Sequence, residues 1–264
     1  MNSEIKLPIT NTYKDVKFIP SKKEAKFVTL ITMYDTVEPY HLDEFLMYND
    51  DTDVYIISDN RQWSEPGTWN NYGHLNNDIL LREWWQKNKD KISLKKLLYV
   101  EYDVLITIKI TNEMFTDGVR TADVFHFPTM KAKPSETWSE EPWWWATHGD
   151  RLPVDLKCTP ASGFATVLFL DTSVLDLIIL PKWDDVFQQD IISEIRLPTL
   201  FYYYKVPMYN WDKTLGFSRI THLPLDVKTE DPETLQKIKT SYPGFYHPIK
   251  TSKASFLKDY KPVI

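Results

Sequence analysis

Apolar runs too uniform to be half-exposed alternate along this chain with segments of helical spacing. Phe27-Val28-Thr29-Leu30-Ile31-Thr32-Met33 offers no polar face, which suits a strand covered on both sides. Asp53-Val54-Tyr55-Ile56-Ile57-Ser58 repeats the pattern and stops at Asp59-Asn60, a pair that favours turns. Leu94 to Val100 is a further apolar, strand-like run and reads as the third strand. Between these, Pro39 to Met47 fits a short helix. Asn76 to Lys87 fits another, with Ile79, Leu80 and Trp84 against Glu83 marking its faces. Asp123 to Phe127 and Phe164 to Leu170 read as strands, and Thr172 to Leu180 and Asp190 to Tyr204 as helices. Pro198 kinks the latter or marks a boundary inside it. The alternation predicts an α/β fold with a mostly parallel central sheet.

The remaining segments lack such patterns. Residues 1–25 are polar and carry prolines, so they read as an extended lead-in. Arg61 to Gly73 is a loop rich in Trp, Pro, Gly and Asn. Glu136 to His148 is an aromatic, acid-bearing excursion, and Tyr242 to Ile264 has turn and coil character. No repeat or low-complexity segment interrupts the pattern.

Composition narrows the function classes. At 264 residues the chain is long enough for one large domain or two small ones. With 42% hydrophobic and 26% charged residues it reads as soluble and globular. A net charge of −6 predicts no general attraction to nucleic acid or anionic membrane. The single cysteine, Cys158, allows no intramolecular disulfide and has no cysteine partner for a zinc site. No apolar h-region opens the chain, and the apolar run around Val174 to Leu180 is too short to span a bilayer. A cytoplasmic protein without a transmembrane segment is expected. Aromatic residues make up 14% of the chain, including 10 tryptophans, which suits a core and also stacking against sugars or bases.

The candidate chemistry lies at the end of the third strand, in Leu98-Tyr99-Val100-Glu101-Tyr102-Asp103-Val104. In an extended strand, residues i and i+2 share a side, so Glu101 and Asp103 are expected to converge at the strand's carboxyl end. Ligands of open α/β sheets bind at that edge. A hard divalent cation, Mg²⁺ or Mn²⁺, relieves the repulsion of two such carboxylates and commonly holds substrate phosphates. The same acids also fit a solvated loop, and spacing alone does not separate the two. Other phosphate devices are missing. Tyr34-Asp35-Thr36 follows the first run instead of G-x-G-x-x-G, and neither a P-loop nor a G-x-S-x-G elbow occurs. With only seven glycines, a carboxylate-held metal is the natural substitute for a glycine-rich nest.

The order of these features resembles a glycosyltransferase of the GT-A type. The features are a strand ending at Tyr34, a strand ending at Asp59-Asn60, a helix carrying Arg82, then Glu101-Tyr102-Asp103. The resemblance runs from about residue 26 to 250 and implies one α/β/α, Rossmann-like domain of 26–250, with a lead-in of 1–25 and a tail of 251–264. It implies a hexosyl- or pentosyltransferase that moves sugar from a UDP- or GDP-sugar to a glycan or other hydroxyl acceptor. Glu101-Tyr102-Asp103 stands where that family's D-x-D or E-x-D motif holds Mn²⁺ or Mg²⁺ on the diphosphate. Tyr246-His247-Pro248-Ile249-Lys250 resembles a C-terminal segment whose histidine completes the metal site. Ala161-Ser162-Gly163-Phe164-Ala165-Thr166 resembles the lining of the sugar pocket. The nucleoside would lie by Thr32, Tyr34 and Asp59, and Arg82 or Lys250 would pair with the diphosphate. An inverting transfer needs a base, and Glu194 stands where many inverting members carry theirs, with Asp184 and Asp185 as competitors.

Plainer roles compete for each residue. Asp59-Asn60 suits a turn, His247 a turn before proline, Arg82 a surface helix charge, Lys250 a solvated tail charge, and Glu194 a first-turn acid favoured by the helix dipole. Trp143-Trp144-Trp145, after Glu140-Glu141, divides between core packing and an acceptor-sugar platform, with core favoured; Trp84-Trp85 is core, and His126 and His148 are structural. Two other classes stay open: a non-catalytic sugar- or nucleotide-binding module, and a sugar nucleotidyltransferase. The latter normally carries a glycine-rich basic loop where this chain has Tyr34-Asp35-Thr36-Val37-Glu38.

Overall fold

Every residue of Phe27–Met33 is buried, so this strand needs a neighbour on each side and a layer on each face. A computed structural model describes residues 13–33, 41–59, 77–122, 125–126, 162–163, 166–181, 193–210, 221–222 and 244–247; for 59, 77, 125–126, 162–163 and 221–222 it describes the backbone alone. The strands are β1 (Tyr13–Ile19), β2 (Phe27–Met33), β3 (Thr52–Asp59), β4 (Lys96–Glu101), β5 (Leu105–Ile106), β6 (Val119–Thr121), β7 (Phe125–His126), β8 (Ser162–Gly163), β9 (Val167–Asp171), β10 (Met208–Tyr209), β11 (Thr221–His222) and β12 (Phe245–His247). The α-helices are α1 (Leu42–Tyr48), α2 (Asn77–Asn88), α3 (Thr172–Ile178) and α4 (Ser193–Tyr203).

The main sheet has seven strands in the order β1-β3-β2-β4-β9-β6-β10. β2 pairs parallel with β3 and β4, and β10 parallel with β6. β1 opposes β3, and β9 opposes both β4 and β6. Among the described strands of this sheet only β1 and β9 therefore run against the rest, and the fold is α/β with a mostly parallel sheet, as the pattern predicts. Among the described residues there are also two small sheets, β11-β12-β5 and β7-β8.

Alternation along the strands feeds two cores. Leu97 and Tyr99 of β4 and Leu168 and Leu170 of β9 pack with α2, α3 and α4. Leu98, Val100, Val167 and Phe169 pack on the opposite face with α1, β5 and Phe245. Each fully buried large apolar side chain contributes about 1.5–3 kcal/mol.

Connectivity marks one edge of the sheet for ligand binding. From β2 the chain passes through α1 to β3 on one side, then through α2 over β2 to β4 on the other side. α1 belongs to one core and α2 to the other, so the crossovers leave on opposite faces. The winding reverses between β2 and β4, and the carboxyl ends of such a pair form the binding crevice of open α/β sheets.

Some elements differ from the sequence expectation. The lead-in contributes β1, which pairs with β3 from Tyr13↔Asp59 to Ile19↔Val54. As an edge strand it keeps Val16 and Phe18 exposed and intersperses Lys14, Asp15 and Lys17, so it shows no buried run. The C-terminal coil contains β12, three residues long. Pro198 lies inside α4 without ending it. Proline supplies no N–H to the Glu194 carbonyl, but the helix is tied to α2 by a buried ion pair: Arg196 donates to the Asp78 carboxylate through Nε at 2.7 Å and Nη2 at 2.6 Å. Buried Asn49 locks the end of α1 to the chain after β5: Nδ2 donates to the Phe45 and Ile108 carbonyls, each at 3.2 Å, and Oδ1 accepts from the Ile110 amide at 2.7 Å. Among the described residues, no helix is long and apolar enough to cross a membrane.

Candidate metal centre

The site begins where β4 stops. Thr32 and Glu101 are register partners of β2 and β4. The Glu101 amide donates to the Thr166 carbonyl and the Tyr102 amide to the Thr32 carbonyl, each at 3.0 Å. The Val104 amide then donates back to the Glu101 carbonyl at 3.2 Å, closing a four-residue turn. Glu101 and Asp103 do converge, but the turn brings them together; strand pleating does not, because β4 ends at Glu101.

The same turn delivers the third group. It reverses the chain into β5, which pairs antiparallel with β12 as Ile106↔Phe245 and Leu105↔Tyr246. One further step in this register sets His247 opposite Val104, beside Asp103. His247 Nε2 lies 3.4 Å from Asp103 Oδ1 and 3.5 Å from Glu101 Oε2. Burial of the imidazole pushes its pKa down, but hydrogen bonds and charge from Asp103 and Glu101 outweigh this and carry it up to about 10. In the metal-free chain a proton on His247 offsets part of the negative charge of the two acids.

The three side chains offer donor atoms within 4.8 Å of one another. Neighbouring ligands of an octahedral ion with bonds of about 2.1 Å lie roughly 3 Å apart, so a few tenths of an ångström of closure suffice at His247. Two carboxylate oxygens suit Mg²⁺ or Mn²⁺, and the imidazole favours Mn²⁺ of the pair. The donor set fits such an ion.

Other expected residues fall elsewhere. Thr32 is fully buried near the carboxyl end of β2, and its hydroxyl shares a 3.0 Å hydrogen bond with Tyr99 OH. Asp59 closes β3, though its side chain lies outside the described residues. Arg82 is no surface charge: it is buried, and its Nε donates to the Ile178 carbonyl at 3.1 Å, joining α2 to α3. Glu194 is half-buried in the first turn of α4, which packs on β8 and so on the Ser162–Gly163 backbone. Trp84 and Trp85 are core residues. Tyr34, Lys250, Glu140, Glu141, Trp143 to Trp145, His148, Asp184 and Asp185 lie outside the described residues, as does the His126 side chain.

Sequence reasoning missed His41 and Thr107. His41 lines a small cavity beside Glu101 with Ile31, Leu42, Phe45 and Tyr102. Thr107 bonds to Gly244. Neither stands in a motif, and both signals are purely spatial.

No family model matches the chain, and no curated protein is significantly similar to it. Several solved structures are similar to it. An active-site mutant of LgtC aligns over 89% of this chain and 91% of its own, at 11% identity and a TM-score of 0.43. The galactosyltransferase LgtC in complex with donor and acceptor sugar analogs aligns over the same shares, 89% and 91%, at 11% identity and a TM-score of 0.42. A glycosyltransferase involved in glycosylation of the major capsid of PBCV-1 covers 86% of this chain and 95% of its own, at 11% identity and a TM-score of 0.40.

Proposed function

We propose that this chain is a metal-dependent glycosyltransferase that moves a hexosyl or pentosyl group from a UDP- or GDP-sugar to a glycan or other hydroxyl acceptor. The observation that supports the reading most is the Glu101–Asp103–His247 cluster at the carboxyl edge of β4, next to the reversal point of the sheet.

Mn²⁺ or Mg²⁺ held there would neutralise charge that develops on a departing nucleoside diphosphate. Asp103 and Glu101 would hold such an ion through carboxylate oxygens, and His247 would do so through a neutral Nε2. Thr32 and Tyr99 brace the adjoining strands β2 and β4 through their shared hydrogen bond. Tyr34 and Asp59 are assigned to the nucleoside, and Lys250 to the diphosphate. Arg82 is the alternative partner for the diphosphate, and its Nε also donates to the Ile178 carbonyl. Glu194 is assigned as the base that takes the acceptor hydroxyl's proton as the new glycosidic bond forms.

The test is nucleoside diphosphate release from a panel of UDP- and GDP-sugars, with Mn²⁺ or with chelator, for the native chain and Asp103→Ala. Metal-dependent release from one donor, lost in Asp103→Ala, is expected. Pyrophosphate as product would mean nucleotidyl transfer instead. Calorimetric donor binding without release, with acceptors supplied, would mean a binding module.

A further inference from the structure

β12 is three residues long, and one of them is His247. So short a strand makes few ladder bonds, and the metal centre depends on its register. Sliding it by one residue would shift His247 by about 3.3 Å and turn its side chain to the opposite face.

A polar clamp sits at the other end of the same pairing. Thr107 continues β5 and faces Gly244, one step before the Ile106↔Phe245 pair. The Thr107 amide donates to the Gly244 carbonyl at 3.0 Å. The Thr107 hydroxyl accepts from the Gly244 amide at 3.0 Å and donates to the Gly244 carbonyl at 3.3 Å. Both backbone polar groups of Gly244, its N–H and its C=O, are therefore held by one residue. Thr107 and Gly244 are buried, and so are Phe245 and Tyr246 between the clamp and His247. Water does not replace a bond lost in such a place without a cost.

We propose that Thr107 is a positioning residue for the metal centre: by gripping Gly244 it fixes the register of β12 against β5, while β11 pairs with the other edge of β12, and so it holds His247 over Asp103 and Glu101. The inference rests on the metal-binding reading of that cluster. Thr107 touches no metal ligand and acts only through the strand.

Mn²⁺ affinity tests it, read from the electron paramagnetic resonance signal of the free ion for the native chain, Thr107→Val and Thr107→Ser. Thr107→Val keeps the shape and removes the hydroxyl, and Mn²⁺ binding should weaken about 10- to 100-fold, as for other groups that orient metal ligands. Thr107→Ser keeps the hydroxyl and should bind within about twofold of the native chain on the same reasoning. In a His247→Ala background, Thr107→Val should weaken binding no further. Circular dichroism shows whether each variant is folded, and Thr107→Ala substitutes for the valine variant if that does not fold. Native Mn²⁺ affinity in folded Thr107→Val, with only a lower melting temperature, would make Thr107 merely structural and overturn the proposal. No Mn²⁺ binding by the native chain would instead overturn the metal reading itself.

Discussion

His247 Nε2 and Asp103 Oδ1 lie 3.4 Å apart, joined across the β5–β12 pairing from distant parts of the chain. Without metal, that contact is an imidazolium facing carboxylates, and it contributes to stability. Its sign follows from the raised pKa. The contribution is complete below the unfolded value of about 6.5 and is lost as pH rises through about 10. Metal and proton compete for the same nitrogen. Mn²⁺ binding near neutral pH should therefore expel close to one proton, and affinity should rise by up to about tenfold per pH unit below that pKa. Calorimetry in buffers of different ionisation enthalpy counts the proton. Release should vanish in His247→Ala, and zero release from the native chain would remove His247 from the ligand set.

Glu194 carries a separate prediction, because a base acts on the acceptor and leaves the donor alone. Glu194→Gln should lower transfer by about 10²- to 10⁴-fold while donor affinity, measured by calorimetry, stays unchanged. The substitution preserves side-chain size and leaves the Arg196–Asp78 pair that anchors the helix. Lost donor binding would move Glu194 into the nucleotide site. Unchanged transfer would give the proton to Asp184 or Asp185, or indicate a retaining reaction.

How legible each feature was depended on its physical origin. The buried strands announce themselves through uniform apolar runs, and Phe27 to Met33 matches β2 end to end. The Glu101–Asp103 pair is visible because both acids follow such a run directly. Their convergence was expected from a strand period, yet a turn closed by Val104 and Glu101 produces it. β1 and β12 escaped for opposite reasons. The first is an exposed edge with no apolar run, and the second is too short to show a period. Arg82 shows the limit of reading charges as surface features, since its guanidinium is buried between helices.

Asp51 should give the acid limb of the stability curve a measurable component. Its carboxylate is only 4% exposed, 3.2 Å from Lys26 and hydrogen-bonded to Lys109. Burial pushes its pKa up, but the hydrogen bonds and charges of Lys109 and Lys26 outweigh this and hold it below the ordinary value. A depressed folded value means the pairing stabilises above the unfolded pKa of about 3.9, and the benefit disappears as pH falls through the lower folded value. Asp51→Asn should therefore be less stable than the native chain at neutral pH, and the gap should close in acid. Urea midpoints across that range decide it. A gap that persists at the acid end would assign the loss to packing rather than charge.

At Gly118 any side chain forces its neighbours to shift. A Cβ placed there would lie 2.1 Å from the Pro207 carbonyl oxygen and 3.0 Å from its carbon. That oxygen accepts the Val119 amide at 2.9 Å beside the β6–β10 pair, so it cannot retreat without breaking the bond. On the other side, the Gly118 carbonyl accepts the Asp171 amide at 2.9 Å, which ties the same peptide to β9. Gly118→Ala must push β10 away from β6 or pull β6 from β9. We expect a loss of about 1–3 kcal/mol from the clash, together with roughly 1 kcal/mol for the broken hydrogen bond. Urea denaturation reads the total. Amide exchange of Val119 locates it: rapid exchange there, with Asp171 still protected, means that the outer strand has yielded and the β9 junction has held. Native stability would mean instead that β10 moves aside at no cost and does not help to close this edge of the sheet.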